Sequence, residues 1–474
     1  MPQEWSGSGP ELLVTLDRGR PLRAQLETQL REAIRSGRLA ADERLPSTRT
    51  LARDLDLSRG LVQECYEQLS AEGYLTSRAG SATRVAILSG ERPPARPASP
   101  RPAVAPRPAV ADFESGVPDL GLVPREDWAW AVREACRTLP DAAFHYGEVR
   151  GDPATREVVA SYLGRVRAVD CRADQVIICS GFAQGLALTL RALARQGLTR
   201  GACEDPGSIR TVTRAARAAG GELVAVPVDG HGIEVDALAA SGARVAVVTP
   251  AHQWPTGVVL SPERRHRLLA WARECDGVIV EDDYDAEFRY DRDPVGSMQG
   301  LDPERVVVLG TVSKSLAPAL RLGWAVVPAG LADEVTAEKQ VADRGSSGID
   351  QAALAALIAS GRYDRHLRRM RAEYARRRAA LVSALEAHAP QVRLTGLAAG
   401  FHAVAHLPGG ADERRVLDAA RERGVGLRGM STYRRSRDPD PPQLVLGFGN
   451  TGAREIEAGI KAVADLLRQS PKPT

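Results

Sequence analysis

Apolar residues in the first 85 positions recur at helical spacing. Leu22, Leu26, Leu30, Ala33 and Ile34 fall three or four apart behind Pro21, a stripe that predicts an amphipathic helix capped near Gly37. Ser47, behind Pro46, is a good N-cap for a second helix that turns Leu51, Ala52 and Leu55 inward. After a short turn at Asp56 and Leu57, Ser58 caps a third helix. Its predicted buried face is Leu61, Val62, Cys65, Tyr66 and Leu69, and it closes at Gly73. Two short extended pieces, 74–76 and 83–85, flank a turn at Gly80. Three short helices followed by a hairpin is the plan of a winged helix-turn-helix.

The periodicity then stops. Residues 89–110 read SGERPPARPASPRPAVAPRPAV, a proline-, alanine- and arginine-rich run that cannot pack a core. Extended as polyproline, it reaches up to roughly 70 Å at about 3.1 Å per residue. The expected organisation is a small domain over 12–88, a linker over 89–110 and a large domain over 111–474. In the large domain strands and helices alternate, which predicts an α/β fold with a mainly parallel sheet.

Four apolar runs in that domain end in polar chemistry. The run 176–179 leads to Ser180 and Gly181, with a helix from about Ala183; 245–248 leads to Pro250 and Trp254–Gly257. The run 278–280 leads to Glu281, Asp282, Asp283 and Tyr284, and 306–309 to Thr311, Ser313 and Lys314. Ligands of open α/β sheets gather beyond the carboxyl ends of strands, so these groups are expected to converge.

The set suits an aldehyde that carries a phosphate. Lys314 supplies a Schiff-base amine. Arg321, Thr311, Ser313 and the Gly181 turn, with Phe182 at the helix start, supply phosphate donors. Asp282 can keep a pyridine nitrogen protonated, and Tyr284 can bond the neighbouring ring oxygen. The plainer alternative makes Lys314 a surface lysine and Asp282 and Asp283 solvated loop acids. Composition counts against it: among 63 Lys and Arg residues only Lys314, Lys339, Lys461 and Lys472 are lysines.

Other composition excludes more than it identifies. A net charge of +3 is too small to argue for nucleic acid by itself. No apolar run is long enough to span a membrane, and the N-terminus does not read as a signal peptide. Six cysteines without CxxC spacing read as small buried hydrophobes in a reducing compartment, so a cytoplasmic location is expected. In the small domain Arg44, Arg49, Arg59 and Arg78 sit at loops and helix starts, where they can meet phosphates or a major groove. A helical docking module with a solvated basic rim is the alternative.

Two motif sets resemble known families. The anchors SGRL (36–39), RLPSTRTLA (44–52), LSR (57–59) and CYEQLSAEGYL resemble the GntR family of bacterial regulators. The resemblance implies that Ser47, Thr48 and Arg49 open the second helix on the DNA backbone, and that Arg59 leads the recognition helix. Gly60-Leu61 departs from the polar pair usual there. From about Asp112, YGEVRGDPATREVVASYL, CSGFAQGL, EDPGS, HQWPTG, VEDDYDAEFRY and GTVSKSLAPALRLGW resemble fold-type I aminotransferases. Together the two halves are similar to the MocR family, in which a GntR-type head precedes an aminotransferase-like domain that binds pyridoxal phosphate. By that resemblance Lys314 holds the cofactor covalently, Asp282 meets its pyridine nitrogen and Tyr284 its ring oxygen. Tyr146 reaches the phosphate from a partner subunit of a homodimer, and Arg210 helps to hold an amino-acid or amine effector.

Three departures from working aminotransferases stand out. Trp254 replaces the asparagine of Asn-Pro-x-Gly, although an aromatic is normal in MocR-like proteins. Ser208 stands where an aromatic ring would stack on the cofactor. The strand 444–448 lacks the arginine that clamps a substrate carboxylate, leaving Arg428, Arg434 or Arg435 as substitutes. Two functions follow as expectations: a regulator of double-stranded operator DNA that senses pyridoxal phosphate, alone or with an amino compound, or an active aminotransferase with an accessory head.

Overall fold

The computed structural model describes residues 14–77, 82–87, 110–285, 287–290, 295–435 and 442–468. It divides into two compact units, 1–105 and 106–474. Arg78, the Gly80 turn and linker residues 89–109 lie outside the described residues.

The first unit holds α1 (Leu22–Arg35), α2 (Thr48–Asp54), α3 (Arg59–Ala71), β1 (Leu75–Thr76) and β2 (Arg84–Val85). Both expected caps are made: the Ser47 hydroxyl accepts from Thr50 N at 3.1 Å, and that of Ser58 from Leu61 N at 3.2 Å. Leu26, Leu30, Val62, Cys65 and Leu69 are fully buried, whereas Leu61 is only half-buried. The reason is its place in the first turn of α3, which the core reaches one residue later, at Val62. The Tyr66 hydroxyl donates to Pro46 O at 3.1 Å and ties α3 to the start of α2. β1 and β2 pair antiparallel, with Arg44 bridged to Arg84 alongside, so the wing has a third extended edge that hydrophobic spacing does not show.

The second unit begins with β3 (Ala111–Asp112). A large sheet is then built from β4 (Val176–Cys179), β5 (Arg200–Asp205), β6 (Glu222–Asp229), β7 (Gly232–Ile233), β8 (Val245–Val248), β9 (Val278–Asp283), β10 (Val306–Thr311) and β11 (Gly323–Val326). Its spatial order is β4-β11-β10-β9-β8-β5-β6-β7. The five central strands, β10, β9, β8, β5 and β6, run parallel; β11 is antiparallel to both neighbours and β7 to β6. Helices cover both faces, which is why these strands read as unbroken apolar runs. Ile177, Val247, Val280 and Leu309 pack with Leu186 and Leu193 of the helix Phe182–Arg195. Ala246, Val248, Ile279 and Val306 pack with Leu268 and Trp271 of the helix Pro262–Glu274.

A smaller antiparallel sheet follows: β12 (Arg393–Thr395), β13 (His402–His406), β15 (Arg428–Gly429) and β16 (Gln443–Gly447), in the order β12-β13-β16-β15. Between them β14 (Val425–Gly426) pairs with β3.

One alternative falls and one expectation needs correction. β9 and β10 extend past their apolar runs, so Glu281, Asp282 and Asp283 belong to the strand, and the alternative of solvated loop acids does not hold. Burial explains how acids can stay in the ladder. Asp283 is clamped by the buried Arg167 guanidinium at 2.8 and 2.9 Å, and Glu281 accepts from Ser297 Oγ and Met298 N. Nor are all cysteines buried: Cys136 is exposed, on the outer face of the helix Arg125–Thr138, and Cys171 and Cys275 are intermediate. Among the described residues no helix is long and apolar enough to cross a membrane.

Candidate functional site

The carboxyl ends of β4, β8, β9 and β10 open on a cavity of about 310 Å³. Phe182, Asp282, Tyr284, Thr311, Ser313, Lys314 and Arg321 line it, as do Gly116, Ala183, Ser208, Thr211 and Trp254. Gly181 lies directly behind the wall. Its φ is +89°, and a Cβ there would stand 3.2 Å from Thr311 Oγ1, so a side chain would be strained and crowded at this turn.

One end of the cavity collects donors. The Thr311 hydroxyl donates to Ser313 Oγ at 2.8 Å, and the helix Phe182–Arg195 aims its N-terminus at the same end. Arg321, in a left-handed conformation, donates from Nη2 to Ser180 O at 2.6 Å, which places its guanidinium at the turn.

The other end holds a lysine and an acid in tension. Lys314 Nζ donates to Gly116 O at 2.5 Å. Burial pushes its ammonium pKa down, against the pull of Asp282 and Asp285. Burial, and next the charge of Asp283, push the Asp282 carboxyl well up, with Lys314 opposing. Asp282 Oδ1 is buried and has no hydrogen-bond partner among the described residues. Such an oxygen costs about 1–3 kcal/mol until something donates to it. The residues present therefore fit pyridoxal phosphate: a buried amine whose charge burial disfavours, a carboxyl oxygen open to a protonated ring nitrogen, and a donor-rich end for a phosphate.

Two expected side chains lie elsewhere. Tyr146 is 70% exposed and outside the cavity, with the Arg344 guanidinium 4.8 Å over its ring. Arg210 lines a second cavity of about 1080 Å³ that shares Ser208, Thr211 and Trp254 with the first. Arg414, Arg434 and Arg435 line that cavity too, whereas Arg428 faces Glu114 at 3.6 Å. In the first unit Arg44, Arg49 and Arg59 are exposed, at the approach to the wing, the start of α2 and the start of α3. Neighbouring arginines are spent on ion pairs, Arg23 with Glu27 and Glu64, Arg31 with Glu72 and Arg53 with Asp54. Ser47 and Thr48 open α2 beside Arg49.

Sequence reasoning missed Gly116, Ala183 and Thr211. Gly116 comes from the chain's entry into the large unit, far from any motif. Thr211 sits one helical turn past Ser208, a spacing that signals a shared face only once the helix Ile209–Ala218 is known. Also missed was a buried group behind Tyr284, formed by His252, Asp285 and His402.

Comparison with known proteins matches both units. The bacterial regulatory proteins of the gntR family match residues 22–85, and aminotransferase class I and II matches residues 109–434. The probable rhizopine catabolism regulatory protein MocR of Rhizobium meliloti is 35% identical, with 95% of each chain covered. The HTH-type pyridoxine biosynthesis transcriptional regulator PdxR of Corynebacterium glutamicum is 30% identical over 94% of this chain and 95% of its own. Among solved structures, the kynurenine aminotransferase of Pyrococcus horikoshii in complex with PMP superposes with a TM-score of 0.68 at 27% identity, covering 76% of this chain and 90% of that one. A gntR-type head and an aminotransferase-type body, aligned with such regulators along nearly the whole chain, place this protein in the MocR family of DNA-binding transcription regulators.

Proposed function

We propose that the large unit binds pyridoxal phosphate through Lys314 and reads its supply, alone or together with an amino compound, while two N-terminal units grip operator DNA. The observation that carries this reading is the meeting of Lys314, an Asp282 oxygen without a partner among the described residues, and the Thr311–Ser313–Arg321 donor end in one cavity, in a chain that also carries a gntR-type head. When bound, pyridoxal phosphate supplies an aldehyde that captures amines reversibly and a pyridinium ring that withdraws electrons. Lys314 holds the carbon end, its lowered pKa keeping a share of the amine neutral and nucleophilic. Asp282 keeps the ring nitrogen protonated, and Tyr284 bonds the ring oxygen. Thr311, Ser313, Arg321 and the backbone of Gly181 and Phe182 bind the phosphate. An effector's carboxylate meets Arg210, with Arg434 and Arg435, across the shared wall.

Arg44, Ser47, Thr48, Arg49, Arg59 and Arg78 form the DNA-facing set of this reading, and the protein works as a cytoplasmic homodimer. A single winged helix contacts few base pairs, so tight operator binding needs two heads. The reading takes 12–88 and 111–474 as domains joined by the linker 89–110; a division of the chain near 105 supports two domains. The rival reading, an active aminotransferase with an accessory head, would need a carboxylate clamp that β16 lacks.

The test is spectroscopic. Purified protein supplied with pyridoxal phosphate should show a visible band that survives dialysis. Borohydride should fix the cofactor to the peptide containing Lys314, and Lys314→Ala should remove both signals. Identical spectra for wild type and Lys314→Ala after dialysis would reject the assignment, and steady-state transamination would favour the enzyme.

A further inference from the structure

Tyr284 is held from behind. Its hydroxyl lies 3.2 Å from His252 Nδ1 and donates to His252 O at 3.0 Å. His252 Nδ1 is in turn 2.8 Å from Asp285 Oδ2. All three side chains are at least nine-tenths buried. Because a carboxylate only accepts, the Asp285 contact fixes the imidazole proton on Nδ1. Gly400 closes the space from β13's approach, where a Cβ would stand 2.4 Å from Asp285 Oδ2 and 2.5 Å from His252 Nδ1. A metal ion is a poor occupant of this cluster. His402 Nε2 already donates to Pro255 O at 3.1 Å and His252 Nδ1 to Asp285, so ligation through those nitrogens would break contacts the fold makes.

We infer that Asp285 and His252 are positioning residues for Tyr284: a carboxylate–imidazole–phenol chain that lets the phenol donate its proton into the cofactor cavity. The inference rests on the cofactor reading above. With its proton turned toward the cavity, the Tyr284 oxygen accepts a share of the His252 Nδ1–H, 3.2 Å away, whose stronger bond runs to Asp285 Oδ2 at 2.8 Å; Asp285 acts by keeping the proton on that nitrogen. A hydroxyl that accepts one hydrogen bond donates the next more strongly. The other titratable and charged groups around the phenol and imidazole are Asp282 from β9, Glu204 from β5, His402 from β13 and Lys314 beyond β10.

The expected effect follows from where the proton goes. Donation from Tyr284 stabilises a deprotonated ring oxygen, so weakening it makes the ring–amine system hold its proton more tightly. The experiment is a pH titration of the visible band of the full-length, cofactor-loaded protein. Tyr284→Phe should raise the midpoint by about one pH unit. Asp285→Asn, which keeps the shape but frees the wrong imidazole tautomer, should raise it by about half as much or more. His252→Asn keeps a donor near the Nδ1 position and should stay close to wild type, whereas His252→Phe should shift like Asp285→Asn. The double variant Tyr284→Phe/Asp285→Asn should move no further than Tyr284→Phe, because both act through one hydrogen bond. A purely structural role would lower the melting temperature and leave the midpoint in place. If Asp285→Asn titrates within about 0.2 units of wild type, or the double variant is additive, the inference is overturned while the cofactor reading stands. If wild type shows no band, the cofactor reading itself falls, and this inference with it.

Discussion

At the scale of single residues, the site is organised by what burial does to charge. Asp282 carries an oxygen with nothing to accept from among the described residues, and burial pushes its carboxyl pKa upward. Asp282→Ala should therefore weaken pyridoxal phosphate binding by the loss of one charge-assisted hydrogen bond, about 1.5–3 kcal/mol, or roughly 10- to 150-fold in Kd by equilibrium titration. Lys314→Ala should go further and abolish retention on dialysis, since the covalent link is gone. Next to that lysine, His366 Nε2 donates to Ser315 O at 2.7 Å, and burial lowers its pKa from 6.5 to about 4. Between those values the unfolded chain binds the proton and the folded one does not, so stability rises with pH across the window. It is fully present above pH 6.5 and is lost as pH falls toward 4, by on the order of 3 kcal/mol. His366→Gln keeps an amide donor without a titratable charge. Urea unfolding from pH 7 to 4 should show a flatter slope in that variant; an unchanged slope would place the acid sensitivity elsewhere.

The same scale shows what one sequence reveals. Scarcity of lysine pointed at Lys314, but Lys339 is the more deeply buried, paired with Asp343 at 3.0 Å and bonded to Ser346 Oγ. Rarity marks a lysine that needs a reason without saying which reason. The distinction came from the strand-end company of Asp282, Tyr284 and Arg321. His252 and Asp285 were on the page in HQWPTG and VEDDYDAEFRY, yet 33 positions apart, and only the packing of β8's exit against β9's makes them one group.

At the scale of elements, caps and apolar spacing carried the first unit well, because its helices are short, local and amphipathic. Ser47→Ala and Ser58→Ala should each cost about 1 kcal/mol of stability, read by thermal or urea unfolding of the first unit's transition. In the second unit the parallel strands were visible as buried runs, but their ends were not. β9 holds Asp283 through Arg167 and Glu281 through Ser297, contacts made by residues 116 and 16 positions away that apolar spacing does not reveal. Element-scale chemistry also separates the arginines of the head. Arg49 and Arg59 are exposed at helix starts, while Arg23, Arg31 and Arg53 serve ion pairs. Arg49→Ala should weaken operator binding and reduce the salt slope if Arg49 meets a phosphate. If Arg59 reads a base edge, Arg59→Ala should cost roughly 1–3 kcal/mol at one operator position and leave non-specific binding nearly intact. Unaltered binding by both variants at several salt concentrations would reassign the DNA-facing helix.

At the scale of the whole molecule, the question is how a small cofactor influences a DNA grip. Tyr146 stands out of its own chain's cavity and 70% exposed, which suits a side chain whose cavity belongs to a partner subunit. On that reading Tyr146→Ala should weaken pyridoxal phosphate binding without disturbing the monomer's fold, and the affinity of wild type should fall on dilution below the dimer's dissociation constant. A site completed by two chains couples cofactor to assembly, and assembly sets whether two heads can hold two half-sites. Linkage then makes the coupling reciprocal: if cofactor changes operator affinity by some factor, operator must change cofactor affinity by the same factor. The decisive measurement is operator titration with and without pyridoxal phosphate, paired with cofactor titration with and without operator, in wild type and Lys314→Ala. Wild type should show matching factors above about twofold, and Lys314→Ala should show neither. A cofactor effect on operator binding below about twofold, together with measurable amino transfer, would mean that the cavity serves catalysis and that the switch reading is wrong.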